Sequence, residues 1–566
     1  MRTAASESPK GRARHRQPPR RRPATSWVAP AASALAGLLV FLAMVAPREI
    51  GQLTPGAFVR IPIEGIVGVA LLLLLPPRPR RVVAAVGGAV LGLLVIVKLL
   101  DMGFLSVLAR PFDPVLDWVL LDNAREFLTG SIGPAGAIGA AIGAVVLAVA
   151  VVVLLALSTL RLSRVVDRHR TTATKAVALL TVAWLVCAGL GAQLVAPVPV
   201  AARSIAALAY EKAVLVPTSL HDERTFTELS AVDAFRDTPA EQLLTGLRGK
   251  DVVLTFVESY GRSAVEDPRY APQVDAVLDS GTARLAEAGF TARSGWLTSP
   301  TFGGGSWLAH STLHSGLKID NQDRYRNLVA SDRLTLGSAF REAGWETANV
   351  MPGTNRAWPE GQFFGVDRVH DATTLGYRGP GFSWSPMPDQ YALSAFEHLE
   401  RGRPDRGPLM GQVELTSSHV PWTPVPRLVD WDAVGDGTVF GPQVRGVDPP
   451  DVVEKDGDRV RTTYRKSIEY SLNTLVSYVQ RYGDDRLVLV FLGDHQPSPI
   501  ASGAGASHDV PISIVTRDRS VLERITDWQW ADGLRPRDTT PVWPMEAFRD
   551  KFLIAFGPGP ADGARH

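Results

Sequence analysis

Three short apolar runs in the C-terminal half of this chain are each followed at once by residues able to bind a metal or move a proton. Residues 252–257 (VVLTFV) lead into Glu258-Ser259-Tyr260-Gly261, residues 410–415 into Thr416-Ser417-Ser418-His419, and residues 487–492 (LVLVFL) into Gly493-Asp494-His495. Runs of this length and composition predict buried strands. In an open α/β sheet the functional groups gather beyond the carboxyl ends of the strands, so Glu258, Asp494, His495 and His419 are expected along one edge of one sheet. Carboxylates together with an imidazole suit a borderline-hard divalent ion such as Mn, Mg or Zn. Singly, a post-strand Asp or Glu reads as a helix cap; three such strand ends in one domain favour a site. Between the first two strands, Gly303-Gly304-Gly305-Ser306-Trp307 opens a helix-like stretch. Glycines before a helix N-terminus let the backbone approach an anion, and a serine there is placed to cap the helix, bind metal or attack phosphorus.

The elements that must position these residues form a soluble α/β domain from about residue 250, with strand-like and helical runs alternating and a largely parallel sheet expected. Its length is ample for a large core. The single cysteine, Cys187, lies in an apolar run, which excludes disulfides, cysteine metal sites and cysteine nucleophiles from the soluble part. Residues 431–460 read as a long Asp/Gly/Pro-rich insertion near the site, and residues 528–556, rich in Trp and Pro, as a segment that packs back on the domain.

Before residue 200 the sequence is of another kind. Five apolar segments are expected to cross a membrane: 27–46, 59–75, 82–97, 132–157 and 176–195. The second carries Arg60, Pro62 and Glu64 near its start. The third borrows from residues 98–104, with Lys98 snorkelling or facing a partner helix. A signal peptide is the competing reading of the first segment. Gly and Ala through 132–150 suit close helix packing. Residues 101–131 carry the apolar pattern of an interfacial amphipathic helix.

The net charge of +2 conceals an asymmetry: residues 1–25 carry +7, Arg78, Arg80 and Arg81 add +3, and residues 161–175 carry +4. The remainder is therefore strongly acidic, the opposite of what a nucleic-acid-binding domain needs. The basic clusters fall where the positive-inside rule places cytoplasmic loops. Five spans with the N-terminus inside put the C-terminal domain outside. The organisation expected is a disordered basic cytoplasmic tail (1–25), a five-span membrane domain (26–196), a juxtamembrane helical linker (197–249, with 197–202 open to a signal-peptidase cut) and an extracytoplasmic catalytic domain (250–560).

The order VESYG, GGGSW, TNRAW, TSSHVPW, LGDHQP resembles the lipoteichoic acid synthase-like, phosphoglycerol transferase branch of the sulfatase (alkaline phosphatase) superfamily over residues 250–520, and a five-span anchor matches the same branch. The resemblance implies an alkaline phosphatase/sulfatase-like fold with a mainly parallel central sheet. It implies one divalent ion, commonly Mn, held by Glu258, Ser306, Asp494 and His495. Ser306 stands as nucleophile where the family usually has Thr; Thr301 is the alternative and fits the spacing less well. Arg356 is similar to the arginine that meets the phosphate, with Trp358 as its aromatic neighbour, and His419 to the histidine facing the leaving group. His508 stands near where two-ion members have a histidine, and a structural role is the expectation for it. His310 departs from the acidic residue that similar sequences carry there.

The expected activity is transfer of a phospholipid-derived, phosphoglycerol-like head group to an envelope glycolipid or polymer through phospho-Ser306, with no nucleic-acid partner. The alternatives are a sulfatase or phosphodiesterase-type hydrolase of the same superfamily, or a non-catalytic membrane scaffold or sensor. The formylglycine signature C/S-x-P-x-R is not met by Ser299-Pro300-Thr301.

Overall fold

The apolar runs form strands because each is covered on both sides. In β1 (Asp251–Val257), Val253 and Val257 enter one core while Val252, Leu254 and Phe256 enter the other, and every residue is buried. A strand with two dry faces reads as a continuous apolar run. The computed structural model describes residues 28–195, 198–503 and 505–557. These fall into two units, one within 28–47, 51–98 and 139–209, the other within 48–50, 99–138 and 210–557. The basic tail 1–25 and residue 197 of the candidate cleavage stretch lie outside the described residues.

The larger unit is built on nine strands: β1, β2 (Thr291–Thr298), β3 (Glu346–Met351), β4 (Arg368–Asp371), β5 (Leu409–Leu415), β6 (Leu487–Gly493), β7 (Asp509–Thr516), β8 (Ala531–Asp532) and β9 (Val542–Pro544). Their order is β8-β2-β7-β6-β1-β5-β3-β4, with β9 also on β2. The half from β6 to β4 is parallel. From β6 outward through β7, β2 and β8 the pairing is antiparallel. The sheet is thus mixed, and the parallel arrangement expected holds for the half from β6 to β4, while β7 returns antiparallel to β6 after residues 494–508. Helices Ala271–Glu287 and Gly457–Tyr482 cover one face; Ser306–Ser315, Leu336–Glu342 and Ala547–Phe556 cover the other.

Residues 528–556 pack back as expected, with Trp528 edge-on to Trp530, Trp543 and Phe548. The expected insertion at 431–460 is sewn down: Trp431 is buried and its indole N–H donates to Ser477 Oγ at 2.8 Å. Residues 101–131 are not one amphipathic helix. The helix Pro77–Leu108 ends at Leu108, the chain turns irregularly, and a helix resumes at Leu120. The expected linker contains a real helix, Ser204–Ala231.

Among the described residues, four helices are long and apolar enough to cross a membrane: Val28–Val45, Pro77–Leu108, Gly133–Arg168 and Arg170–Gly189. The remaining expected span is the 12-residue helix Ile63–Leu74, about 18 Å long against a hydrocarbon core of about 30 Å. Its C-terminal end meets a basic cluster: Arg170 donates to the Leu73 carbonyl, and Arg80 to the Leu75 carbonyl and to Asp167. Arg161 reaches the Ala29 carbonyl at the start of the first helix. At its other end, Glu64 accepts from the amides of Ile205 and Ala206 (3.0 and 2.9 Å), and Ile61–Pro62 bridges Ala201–Ala202. Lys98 faces a partner helix, donating to the Ala43, Met44 and Ala46 carbonyls that close the first helix. The close helix approach lies elsewhere than expected. Cβ atoms at Gly139 and Gly143 would meet nothing, whereas at Gly88 and Gly92 they would lie 2.7 Å from the Ala156 and Val152 backbones.

Candidate active site

β1, β5 and β6 lie side by side and parallel, so Glu258, the Thr416–His419 turn and Asp494-His495 emerge at one edge. Glu258, Asp494 and His495 are buried, with one ligand atom from each within 4.8 Å of the others. His495 Nε2 lies 3.3 Å from Glu258 Oε1 and 3.6 Å from Asp494 Oδ2. Its other nitrogen, Nδ1, donates to the Gln496 carbonyl at 2.7 Å, which turns Nε2 toward the carboxylates, as a metal-ligating histidine requires. Asp494 Oδ1 accepts from the amides of Ser259 (2.8 Å) and His495 (2.7 Å), while its Oδ2 is buried without a partner.

The charges of this cluster are unbalanced as it stands. Burial opposes ionisation of Glu258, yet His495 and His419 hold its carboxyl well below the usual range. Burial, then the Glu258 carboxylate, pushes Asp494 up. Burial alone would depress His495, but Asp494 and Glu258 override it and raise it to about 9. A proton on the imidazole thus supplies the positive charge that two buried carboxylates demand. The orphaned Asp494 oxygen and the O,O,N donor set fit a divalent cation, which replaces that proton with a larger charge.

Ser306 is brought to the same point by the glycine loop. Gly303, Gly304 and Gly305 have φ of +70°, +156° and +82°, which L side chains rarely adopt. Gly305 caps the helix Ser306–Ser315 in the left-handed region, leaving Ser306 as its first residue. Ser306 Oγ donates to Glu258 Oε2 at 3.0 Å and lies 3.2 Å from His495 Nε2. Thr301 is instead a loop-supporting residue: its amide donates to Ser299 Oγ and its methyl lies against Gly305.

The remaining expected residues stand farther out. His419 carries its Nδ1–H on the Val420 carbonyl, so its Nε2 holds the lone pair. Burial lowers its pKa, with Glu258 opposing. Its turn is held by Asp389, whose Oδ1 accepts from the Ser417 amide at 2.8 Å. Arg356 is exposed on the loop after β3 and acts electrostatically on the Tyr325 phenol. Trp358 is stacked on Phe364 at 5.6 Å within an aromatic cluster. His508 is outside the ligand group, its ring 5.2 Å from Phe302 and its carbonyl accepting from the Ser299 amide. His310, one turn after Ser306, stacks on Phe256 at 3.8 Å with Nδ1 3.5 Å from Glu414 Oε1, so here the acid of the pair stands on β5.

Four residues around the site were not singled out from sequence. Ser259, with φ of +56°, donates its hydroxyl to Glu258 Oε1 at 3.0 Å. Ser418 Oγ donates to the Glu258 carbonyl at 2.6 Å. The Gln496 carbonyl accepts from the Gly303 amide at 2.9 Å as well as from His495, tying the glycine loop to that histidine. Trp384 is stacked on His419 at 3.6 Å and is 40% exposed. A Cβ on Gly353 would lie 2.8 Å from its ring, so the Arg356 loop and His419 share one aromatic wall. The first three lie inside motifs already noticed; Trp384 lies in a loop without a pattern.

No protein-family model matches the chain, and no curated protein matches it. Among solved structures it is similar to the lipoteichoic acid synthase LtaP from Listeria monocytogenes, at 13% identity over 60% of this chain and 78% of that one, with a TM-score of 0.38. It is similar to the C-terminal periplasmic domain of EcEptC from Escherichia coli in complex with Zn, at 14% identity over 55% and 84%, TM-score 0.37. It is also similar to the Streptococcus pyogenes phosphoglycerol transferase GacH in complex with sn-glycerol-1-phosphate, at 10% identity over 59% and 91%, TM-score 0.33.

Proposed function

We propose that this chain is a membrane-held, metal-dependent phosphotransferase that moves a phospholipid head group, phosphoglycerol or phosphoethanolamine in kind, to an envelope glycolipid or polymer through a covalent intermediate on Ser306. The observation that carries this reading is Ser306 Oγ placed 3.0 Å from Glu258 and 3.2 Å from His495, at the edge where Asp494 keeps a buried, unpartnered oxygen. A scaffold without a reaction has no use for that convergence.

Glu258, Asp494, His495 and Ser306 would hold one divalent ion, Mn being the ion that the motif resemblance favours. Such an ion, when bound, supplies Lewis-acid polarisation of a phosphoryl oxygen and eases loss of the serine proton. The protein's own part is positional. Ser306 Oγ is fixed by its two neighbours with its open side toward the incoming phosphorus. On attack the Oγ–P bond forms, the bond from phosphorus to the diacylglycerol oxygen breaks, and the serine proton is lost to solvent. His419, neutral when the site is empty, gains a proton as the anionic phosphate arrives beside it and passes it to the leaving oxygen. An acceptor hydroxyl then gives its proton to His419 as it attacks phosphorus; the Oγ–P bond breaks, Ser306 Oγ regains a proton from solvent, and His419 releases its own as the product departs. Arg356 offers a bidentate contact to phosphate oxygens, and Trp384 walls the same pocket.

In this reading the catalytic domain lies outside the membrane. The gathering of Arg80, Arg161 and Arg170 on helix ends supports a cytoplasmic side there. Ile63–Leu74 runs from the Ile205 end to this basic end, which supports a fifth passage by a short helix with its extended flank. A tag at position 80 protected from external reagent, and one at 330 open to it, checks this.

The activity is tested by incubating the full chain in detergent with Mn and separately labelled phosphatidylglycerol and phosphatidylethanolamine. Diacylglycerol release from either supports transfer. Release of sulfate from aryl sulfates with no phospholipid turnover would overturn it in favour of the sulfatase reading.

A further inference from the structure

The glycine loop is held from a second side by a segment that the chemistry above does not use. A Cβ on Gly303 would lie 1.8 Å from the Val107 carbonyl oxygen, and one on Gly304 3.4 Å from Leu108 Cδ2. Val107 and Leu108 therefore lie directly against the loop that delivers Ser306 three residues later. Both belong to the same unit as the catalytic sheet.

Residues 99–118, to which they belong, are built rather than loosely strung. Asp101 is fully buried; its Oδ1 accepts from the Phe112 amide at 2.9 Å and from Lys212 Nζ at 2.8 Å. Lys212 also donates to the Phe112 carbonyl. Arg110 grips Asp117 with two hydrogen bonds of 2.7 and 2.6 Å, and Asp117 accepts from the Asp113 amide at 2.7 Å. The Phe112 ring is edge-on to Phe104 and Trp118, each at 5.2 Å. A buried ion pair adds little net stability over an apolar pair of the same shape, but it admits few alternative geometries. A tether needs no such device.

We propose that residues 99–118, locked by the Asp101–Lys212 pair to the helix Ser204–Ala231, form a strap that clamps Gly303 and Gly304 and so positions Ser306 on Glu258 and His495. Three successive glycines in the left-handed region have more backbone freedom than any other tripeptide. The sheet edge restrains them through one hydrogen bond, Gly303 to Gln496. The strap removes the rest of that freedom before substrate arrives, which is how orientation lowers a barrier. Asp101 and Lys212 are positioning residues in this scheme; neither touches the reacting atoms.

The proposal rests on the transfer reading for its kinetic consequence, and the test separates the two. The full chain is purified in detergent, loaded with Mn, and assayed with bis(p-nitrophenyl) phosphate, a soluble phosphodiester that needs no membrane. Asp101→Asn is expected to lower kcat about 10- to 100-fold, with KM and Mn affinity within about threefold of wild type. Amide hydrogen exchange over 302–308 should quicken by about tenfold or more, while β1 and β6 keep their protection. Should Asp101→Asn fail to fold, Lys212→Gln loosens the same lock from the other side. Unchanged exchange over 302–308, or exchange that rises equally across the whole domain, overturns the strap as a positioning element. A wild-type chain that turns over no phosphodiester, with exchange coupled as described, overturns the transfer reading and leaves the strap standing.

Discussion

The ligand group and the rim around it are held by different kinds of backbone. Glu258, Asp494 and His495 each follow a fully buried strand by one or two residues, and Ser306 opens a helix whose next turns are buried. Arg356, His419 and Trp384 sit on loops, with Trp384 stacked on His419 and pressed against Gly353. A strand end cannot shift without breaking the sheet, whereas a loop adjusts at small cost. Metal chemistry tolerates errors of a few tenths of an ångström at most, so it belongs on the first; recognition of one head group among several is suited to the second.

The most forceful way to break this comparison is Ser306→Ala. Turnover should fall on the order of 10³-fold or more, with Mn binding weakened but detectable, because Glu258, Asp494 and His495 keep their positions without it. A variant retaining near wild-type turnover of labelled phosphatidylglycerol would remove Ser306 as nucleophile. Asp494→Asn should come next. Its Oδ2 accepts no hydrogen bond from the protein, so the loss falls chiefly on the metal: more than about 100-fold in affinity, read by calorimetric titration with Mn. In the wild type the same titration should show affinity climbing as pH rises toward about 9, because His495 must give up its proton to bind. A pH-independent affinity would mean that the imidazole is not a ligand.

The rim should respond more gently and in a different parameter. Trp384→Ala removes the wall beside His419, and we expect KM for the lipid to rise about 5- to 20-fold with kcat less affected, as for loss of uniform binding. Trp358→Leu is the contrasting change. Its ring is spent on Phe364, so it should lower the thermal midpoint and leave KM within about twofold. If instead Trp358→Leu raises KM and Trp384→Ala does not, the aromatic neighbour implied by the motif resemblance is the right one and the wall is misassigned.

How much of this was legible in the sequence follows the same division. The convergence of Glu258, Asp494 and His495 was readable because a dry strand is a continuous apolar run, and its first polar residue necessarily lies at the sheet edge. The antiparallel half of the sheet was not, since β2 mixes polar with apolar residues and carries no continuous apolar run, and a strand's direction leaves no mark on composition. The apolar segment 59–75 is longer than the helix Ile63–Leu74 because hydropathy counts residues and not the extended backbone at Ile61–Pro62. Trp384 was invisible for a plainer reason: stacking across a loop has no period.

The helix that carries Ser306 contains both kinds of residue, and its inner face offers the change with the smallest effect on turnover. His314, two turns below Ser306, is buried, with Nε2 2.7 Å from Gln412 Oε1 and Nδ1 without a partner. Burial, opposed by Gln412, lowers its pKa to about 4, against about 6.5 in an unfolded chain. As pH falls below about 6.5 the unfolded chain takes up a proton that the native chain refuses, so stability is lost between about 6.5 and 4 and levels off below. The size is on the order of 3 kcal/mol for a shift of this extent. His314→Gln cannot titrate and keeps an amide for Gln412. It should flatten that part of the pH dependence of the denaturation midpoint while kcat at pH 7 stays within about twofold. A midpoint that still falls as steeply from pH 6.5 to 4 would place the acid sensitivity elsewhere. A loss of kcat at pH 7 would mean that the reacting end of the helix is set from two turns below, and the line between ligand ring and scaffold would have to be redrawn there.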